Sequence, residues 1–199
     1  MPDAFLFDIG NVIITFDFGI SARRLAELSR ASAEEIIERV GPLTVGLELG
    51  EIQPKEFVAE AAERIGYGGD AATFRSLFAD IFELNEPMVE FIASLKAEGV
   101  PLHLLSNTNA IHAPFFEANY EVFGLFDGRV YSHEVGLMKP DPAIYELVTE
   151  RLSLDPSRTL YIDDMPENCA AGAAAGFLVE PYSADRHGDF LEAVAGRRA

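Results

Sequence analysis

The sequence predicts a doubly wound α/β fold, in which helices cover both faces of a mainly parallel sheet. Two observations support this class. Several short runs of consecutive apolar residues are typical of strands that are buried on both faces. From about residue 88 to the end of the chain, these runs alternate with helical patterns. The 199 residues, 49% of them hydrophobic and 24% charged, are enough for a sizeable core.

Three of the apolar runs end in a polar side chain, at the point where a strand would leave the sheet. In chain order they are residues 4–7, 102–105 and 160–162. Residues 130–131 and 177–179 are weaker strand candidates. The sequence therefore predicts at least three buried strands and two further ones.

Helical periodicity fills the space between these runs. Apolar residues at positions i, i+3, i+4 and i+7 predict helices over residues 74–81 and 88–95. Another helix follows the Asp-Pro pair at 141–142, where Asp caps the helix and Pro takes its first position. A further helix is predicted over residues 166–175, and Gly176 ends it.

Residues 18–87 interrupt the alternation, because they contain several helical patterns and no convincing strand. Ser32 and Glu35 have the spacing of a capping box at the start of a helix. We therefore predict a small helical cap domain, residues 18–87, inserted after the first strand of an α/β core formed by residues 1–17 and 88–199.

The composition limits the partners. The chain carries 15 Lys and Arg against 33 Asp and Glu, a net charge of −18, which disfavours nucleic acids and anionic membranes. The single cysteine, Cys169, excludes a disulfide framework. Because the start of the chain has no basic leader and no apolar run approaches 20 residues, we expect a soluble, cytoplasmic monomer that acts on a small molecule.

Polar residues follow the three predicted buried strands. Asp8 follows the first, Ser106 and Asn107 follow the second, and Asp163 and Asp164 follow the third. Ligands of open parallel sheets bind beyond the carboxyl ends of the strands, so we expect these side chains to meet. Three carboxylates at one edge require a cation, and hard oxygen ligands favour Mg²⁺, which usually works together with a phosphate.

Lys139 is one of only three lysines and lies in a loop, Gly-Leu-Met-Lys-Pro-Asp-Pro, whose prolines would fix its direction. Taken alone, it would be interpreted as a solvated surface lysine. Asp8 alone would be a turn cap and Ser106 alone a helix cap. Their expected convergence favours a site over these simpler interpretations.

Four segments, in this order, resemble the motifs of the haloacid dehalogenase superfamily. They are Asp-Ile-Gly-Asn-Val at 8–12, Leu-Ser-Asn-Thr at 105–108, Lys-Pro at 139–140 and Tyr-Ile-Asp-Asp at 161–164. Each motif alone is weak, but four in order are specific. The resemblance covers nearly the whole chain, and it implies a Rossmann-like core with an inserted cap.

Within this superfamily the sequence is most similar to bacterial phosphatases that act on α-D-glucose 1-phosphate and related sugar phosphates. The segments that carry this similarity are residues 8–12, Leu-Ser-Asn-Thr-Asn at 105–109 and Leu-Gly-Glu-Ile at 49–52. It implies Mg²⁺-dependent hydrolysis of small phosphorylated metabolites.

The resemblance also implies a covalent mechanism. Asp8 would attack phosphorus and form an aspartyl-phosphate, which water then hydrolyses. Mg²⁺ would be held by Asp8, the Gly10 carbonyl and Asp164, with Asp163 either as a further ligand or as a hydrogen-bond partner of the ligands.

The same resemblance implies how the phosphate is held. The Ser106 hydroxyl and the backbone N–H of Asn107 would bind phosphoryl oxygens, and Lys139 would neutralise charge on Asp8 and on the phosphate. Phosphoryl transfer depends mostly on positioning and electrostatic stabilisation, so this small set of catalytic and binding residues is chemically sufficient.

Gly10 departs from the usual pattern, because most phosphatases of the superfamily carry a second Asp two residues after the nucleophile. That Asp serves as general acid and base, a role worth about 10²–10⁴ in rate. Its loss matters least when the leaving oxygen is already acidic, so Gly10 is compatible with a sugar 1-phosphate substrate. Asp17, in the following segment, is an alternative proton donor.

Three alternative functions use similar residues. A 2-haloacid dehalogenase would attack carbon with the same Asp and also lacks the second Asp, but it has no need of a dense carboxylate site. A phospho-acceptor receiver domain carries its acidic pair before the phosphorylated Asp, the reverse of the order seen here. A regulatory protein that binds phosphate with little turnover stays open because of Gly10.

Two further side chains, Asn109 and Glu48, are placed where they would reach a substrate, one from the second-motif loop and one from the cap. Ordinary hydrogen bonding in a turn is the simpler interpretation of both. Cys169 is interpreted as a small packing residue in a helix.

Overall fold

The computed structural model describes residues 2–198, and their secondary structure is that of an α/β protein. The strands are β1 (Ala4–Phe7), β2 (Ile14–Phe16), β3 (Phe82–Leu84), β4 (Leu102–Ser106), β5 (Gly128–Tyr131), β6 (Thr159–Asp163) and β7 (Leu178–Pro181). The helices are α1 (Phe18–Ala26), α2 (Ala33–Glu48), α3 (Pro54–Ile65), α4 (Ala71–Ala79), α5 (Glu86–Ala97), α6 (His112–Asn119), α7 (Ser132–Val135), α8 (Pro142–Arg151), α9 (Pro166–Ala174) and α10 (His187–Arg198). No helix within residues 2–198 is both long and apolar enough to cross a lipid bilayer.

Five strands form one parallel sheet in the order β5-β4-β1-β6-β7, which confirms the predicted fold class and all five predicted strands. From β1 the chain first builds outward through β4 and β5, and then returns to the other side of β1 to add β6 and β7. The strand order therefore reverses beside β1, where open α/β sheets bind their ligands.

Successive residues of β1 alternate between two buried faces of the sheet. Phe5 and Phe7 belong to an apolar cluster that includes residues of α5 and α10. Leu6 belongs to a second cluster, which contains Tyr161 and residues of α8. This covering of both faces explains why the sequence of β1 is apolar at every position rather than at every second one.

A two-stranded antiparallel sheet of β2 and β3 lies at the start and end of the helical insert. The expectation of no strand within residues 18–87 is therefore wrong. Neither strand shows in the sequence because each has only three residues, and the pairing partner lies beyond four intervening helices. Pairing of Phe16 with Phe82 brings the two ends of the insert together.

Helices α1 to α4 pack around an apolar cluster that also includes Ile111 from the core segment, and whose other members include Leu25, Val40, Phe57 and Phe74. The predicted capping box at the start of α2 is present, since Ser32 and Glu35 each accept a hydrogen bond from the other's backbone N–H. A separate cluster is what we expect of a cap domain. It supports the proposed division of the chain into residues 18–87 and the two core segments.

His112, the first residue of α6, connects the core to the helical insert. Its Nδ1 atom lies 2.9 Å from the Asn109 side-chain nitrogen, and its Nε2 atom lies 3.0 Å from the Phe78 carbonyl oxygen in α4. Its ring also stacks on the Phe78 ring, with centroids 4.7 Å apart. Burial lowers the pKa of His112 to about 4, so the residue is neutral in the folded protein at neutral pH.

We expect His112 to destabilise the protein in mild acid. Between its unfolded pKa near 6.5 and its folded pKa of about 4, the unfolded chain binds a proton that the folded protein does not. The free energy of unfolding should therefore fall by about 2 kcal/mol from this residue alone between pH 7.5 and pH 5. Urea unfolding of wild type and His112→Gln at both pH values measures it. An equal loss on acidification in the two proteins would contradict this prediction.

Candidate active site

The carboxyl ends of β1, β4 and β6 lie side by side, and they bring together residues that are far apart in the sequence. Phe7, the last residue of β1, is in register with Leu104 on one side and Ile162 on the other. The next residue, Asp8, donates its backbone N–H to the Ile162 carbonyl at 2.8 Å. Asp8 therefore extends the sheet edge next to the end of β6.

Three carboxylates meet at this edge. Asp8, Asp163 and Asp164 each offer a carboxylate oxygen, and these atoms all lie within 4.8 Å of one another. Asn11 donates its side-chain amide to Asp164 Oδ2 at 3.0 Å, which orients that carboxylate. The donor set consists of hard oxygen ligands, as a Mg²⁺ site requires.

Lys139 lies within this acidic group, and its interpretation as a surface lysine is wrong. Its side chain is only 1% exposed, and its Nζ lies 2.8 Å from Asp8 Oδ1 and 2.6 Å from Asp163 Oδ2. The Asn107 side chain fixes its backbone, because it accepts from the Lys139 N–H at 2.8 Å and donates to the Lys139 carbonyl at 2.9 Å. Asn107 therefore positions Lys139 through its side chain.

Asp163 is the most heavily hydrogen-bonded carboxylate of the site. It accepts from Lys139, from the Tyr161 hydroxyl, from the Met165 N–H at 2.9 Å and from the Asn168 amide at 3.0 Å. Sequence reasoning missed Tyr161 and Asn168. A signal for Tyr161 was present, since residues i and i+2 of a strand share one face.

The electrostatics of the site leave it short of positive charge. Burial raises the pKa of Asp8 to about 6, Lys139 opposes this rise and Asp163 adds to it. Burial would lower the pKa of Lys139, but the carboxylates of Asp8 and Asp163 outweigh that effect and raise it. One ammonium group thus faces three carboxylates, an imbalance that a divalent cation would correct.

The loop after β4 is held by hydrogen bonds. Ser132 accepts from the Thr108 N–H at 3.0 Å and donates to the Thr108 carbonyl at 2.9 Å. Asn109 Oδ1 accepts from the backbone N–H groups of Ile111 and His112, so its interpretation as a turn residue is confirmed. Ser106, at the end of β4, is buried and lies directly before this rigid loop.

A pocket lies between this loop and the helical insert. Its cavity volume is about 60 Å³. A cavity of roughly 150 Å³ holds one benzene molecule, so this pocket is small in the present structure. Its lining is Ile9, Gly10, Ile14, Phe16, Phe18, Glu48, Phe82, Ser106, Asn107, Thr108, His112 and Phe116.

Phe16 occupies the space next to Gly10. A Cβ atom built on Gly10 would lie 2.9 Å from the Phe16 ring, closer than ordinary contact. The position at which most phosphatases of the superfamily carry their second Asp is therefore covered by an aromatic ring. This close approach was not visible in the sequence.

Asp17 and Cys169 have structural contacts outside the acidic group. Asp17 accepts from the Gly19 N–H at 2.7 Å and pairs with Arg23 at 3.2 Å, so it caps α1. The structure thus gives no support to Asp17 as a proton donor. Cys169 is buried in α9, and burial raises the pKa of its thiol to about 11, which agrees with the predicted packing role.

Glu48, the last residue of α2, lines the pocket from the side of the insert. Burial raises the pKa of its carboxyl to about 7. Among residues 2–198 the structure shows neither a side-chain hydrogen bond nor an ion pair that engages this carboxyl. Its interpretation as a turn residue is therefore wrong.

Comparison with known proteins gives consistent results. The sequence pattern of the haloacid dehalogenase-like hydrolases matches residues 2–176. A sesquiterpene phosphatase of Aspergillus oryzae is 30% identical over 185 residues, which cover 88% of this chain and 87% of that protein. A D-ribitol-5-phosphate phosphatase of Bacteroides thetaiotaomicron is 24% identical over 181 residues, 86% of this chain and 87% of that one.

A solved structure extends these similarities to three dimensions. It is that of a haloacid dehalogenase-family enzyme from Bacteroides thetaiotaomicron in complex with magnesium and inorganic phosphate. The two proteins are 25% identical with a TM-score of 0.82, and the match covers 92% of this chain and 96% of that one.

Lys139→Ala should weaken the fold, because it leaves two buried carboxylates without their cation. We expect a loss of about 3–5 kcal/mol in the free energy of unfolding. We expect the rate of any reaction that depends on this charge to fall on the order of 10²–10³-fold. Chemical unfolding and turnover of the purified variant provide the measurements.

The matched control for this prediction is Lys96→Ala. Lys96 pairs with Asp127 at the surface, where an ion pair contributes at most about 1 kcal/mol. Equal stability of the two variants would show that Lys139 does not neutralise the site.

Proposed function

The chain belongs to the haloacid dehalogenase-like hydrolases, and on this premise we propose that it is a Mg²⁺-dependent phosphatase of small phosphorylated metabolites. The reaction would pass through an aspartyl-phosphate on Asp8. The observation that carries the proposal is the buried contact of Lys139 with Asp8 and Asp163, next to a third carboxylate at Asp164. The proposed nucleophile, a buried cation and the proposed metal ligands would thus share one sheet edge.

The residues present fit a magnesium ion. Asp8, Asp164 and the Gly10 carbonyl would hold it. The oxygens of Asp163 already accept four hydrogen bonds. Asp163 would therefore hold Lys139 in place rather than bind the metal directly. When bound, Mg²⁺ neutralises charge on the phosphoryl oxygens and orients them for in-line attack.

The side chains divide the remaining work. Lys139 favours the ionised form of Asp8, which burial alone would keep protonated, and so maintains the nucleophile. The Ser106 hydroxyl and the Asn107 backbone N–H would hold phosphoryl oxygens. Asp8, Ser106 and Asn107 lie at or next to strand ends, and Asn107 fixes the backbone of Lys139, so little reorganisation is needed when charge develops in the transition state.

Sugar phosphates such as glucose 1-phosphate are the first substrate class of this proposal. Gly10 supports it, because an anomeric oxygen is an easier leaving group than a simple alcohol. The pocket supplies polar partners for hydroxyl groups through Glu48 and Thr108. The D-ribitol-5-phosphate phosphatase relative acts on a phosphorylated sugar alcohol, as its name states.

Phosphomonoesters with a hydrocarbon group are the second candidate class, favoured by the apolar walls of the pocket. A second cavity, of about 220 Å³, lies between α1 and α2, and Phe18 lines both cavities. This volume exceeds the roughly 150 Å³ that holds benzene. The Aspergillus oryzae relative is a sesquiterpene phosphatase, which agrees with this class.

The remaining alternatives are less well supported. The dense group formed by Asp8, Asp163 and Asp164 disfavours a metal-free dehalogenase. A regulatory protein without turnover would bind Mg²⁺ and phosphate but release no product. With a net charge of −18, we propose a cytoplasmic monomer that acts on free metabolites rather than on nucleic acids or membranes.

Phosphate release from sugar, prenyl, nucleotide and aryl phosphates tests the proposal. We expect release with Mg²⁺, none with EDTA, and background rates for Asp8→Asn. Asp3→Asn is the control, because Asp3 is an exposed partner of Arg158. The ratio of kcat/KM between glucose 1-phosphate and a prenyl phosphate decides between the two substrate classes.

Two results would contradict this function. Binding of Mg²⁺ and phosphate with no release from any substrate would favour the regulatory alternative. Metal-independent release of chloride from 2-chloropropionate would favour the dehalogenase.

A further inference from the structure

A leaving oxygen leaves more readily when it receives a proton, and the usual position of the proton donor in the superfamily is a glycine here. Residue 10 is glycine, and the Phe16 ring lies 2.9 Å from where its Cβ would be. Asp17 is occupied as the cap of α1. Any protein group that donates this proton would therefore lie in another part of the pocket.

Glu48 carries the one carboxyl group among the residues that line this pocket within residues 2–198. It shares the pocket with Gly10, Ser106 and Asn107, and so with the groups assigned to the metal and to the phosphate. Glu48 belongs to the helical insert, whereas the proposed nucleophile follows a strand of the core sheet. The leaving group of a phosphomonoester would occupy the space between the two.

The turn after α2 holds Glu48 against the core. Gly50 has a positive φ of 71°, and a Cβ at this position would lie 2.3 Å from the His133 carbonyl oxygen. Only glycine permits this close approach of the turn to α7. His133 in turn lies 3.1 Å, through Nδ1, from the Thr108 carbonyl in the loop after β4. Glu48 is thereby tied to the loop that would bind the phosphate.

We propose that Glu48 is the general acid and base of this enzyme, supplied by the helical insert in place of an Asp at position 10. The inference rests on the proposed phosphatase function. In the first step an Asp8 oxygen bonds to phosphorus, the bond from phosphorus to the leaving oxygen breaks, and the Glu48 proton passes to that oxygen. In the second step water attacks the phosphoryl group, Glu48 takes a proton from this water, and the bond to Asp8 breaks to release phosphate.

The surroundings of Glu48 are compatible with this role. Burial raises its pKa to about 7, close to the value at which one group serves best as both acid and base. The titratable groups on the neighbouring elements are His112 of α6, which burial keeps neutral, and His133 and Glu134 of α7. No cation within residues 2–198 pairs with the Glu48 carboxyl.

Glu48→Gln tests the proposal through its dependence on the leaving group. p-Nitrophenolate leaves without a proton, so p-nitrophenyl phosphate should still give a rapid burst of one p-nitrophenolate per enzyme. Its steady-state rate should fall, because water attack lacks a base. With glycerol phosphate, whose alkoxide needs a proton, both the burst and kcat should fall by about 10²–10⁴-fold.

Glu51→Gln is the matched control. Glu51 lies three residues further along the same turn, is exposed and does not line the pocket. It should retain wild-type kinetics with both substrates. The retained aryl burst of Glu48→Gln also shows that this variant is folded and that Asp8 is active.

Each remaining outcome decides against the inference. Equal losses with aryl and alkyl phosphates, including loss of the burst, would make Glu48 structural. A raised KM with unchanged kcat would make it a binding residue only. If the wild type releases phosphate from no member of the sugar, prenyl, nucleotide and aryl panel with Mg²⁺, the proposed function itself fails, and the role of Glu48 fails with it.

Discussion

The buried ammonium group of Lys139 is the interaction on which the site depends. Asp8 and Asp163 are almost completely removed from water, and two carboxylates in that position would repel each other and take up protons without a nearby cation. Because Lys139 lies between them, Asp8 can stay ionised, as its proposed role as nucleophile requires. The other contacts of this region serve that arrangement. Asn107 fixes the backbone of Lys139. Tyr161 and Asn168 donate hydrogen bonds to the Asp163 carboxylate, which in turn binds the Lys139 ammonium group.

The parallel sheet makes this concentration of charge possible. Strands β1, β4 and β6 lie side by side with their carboxyl ends at one edge, so the short polar segments at these ends meet there. The apolar residues of β1 are packed on both faces, which keeps the edge rigid. A rigid edge suits phosphoryl transfer, in which positioned charges contribute most of the rate.

The helical insert completes the pocket on its other side. It supplies Phe18 and Glu48, while Phe16 of β2 covers Gly10. His112 links the insert to the core through the Phe78 carbonyl. The pocket between the insert and the sheet edge has a volume of about 60 Å³ in this structure. The insert therefore shapes the space beside the strand ends and, in the proposed mechanism, supplies the group that acts on the leaving oxygen.

The sequence by itself determined the fold class, the five parallel strands and the residues of the acidic edge. Apolar periodicity and the polar residue after each strand are local properties of the sequence. Because parallel strands end at one edge of the sheet, these local signals also predict which residues meet. Only the tertiary structure decided the pairing of β2 with β3, the burial of Lys139 and the orientation of Glu48. These features depend on contacts between segments far apart in the chain. A lysine in a loop and a glutamate at a helix end have the same local pattern whether they face water or a pocket, and packing alone distinguishes the two.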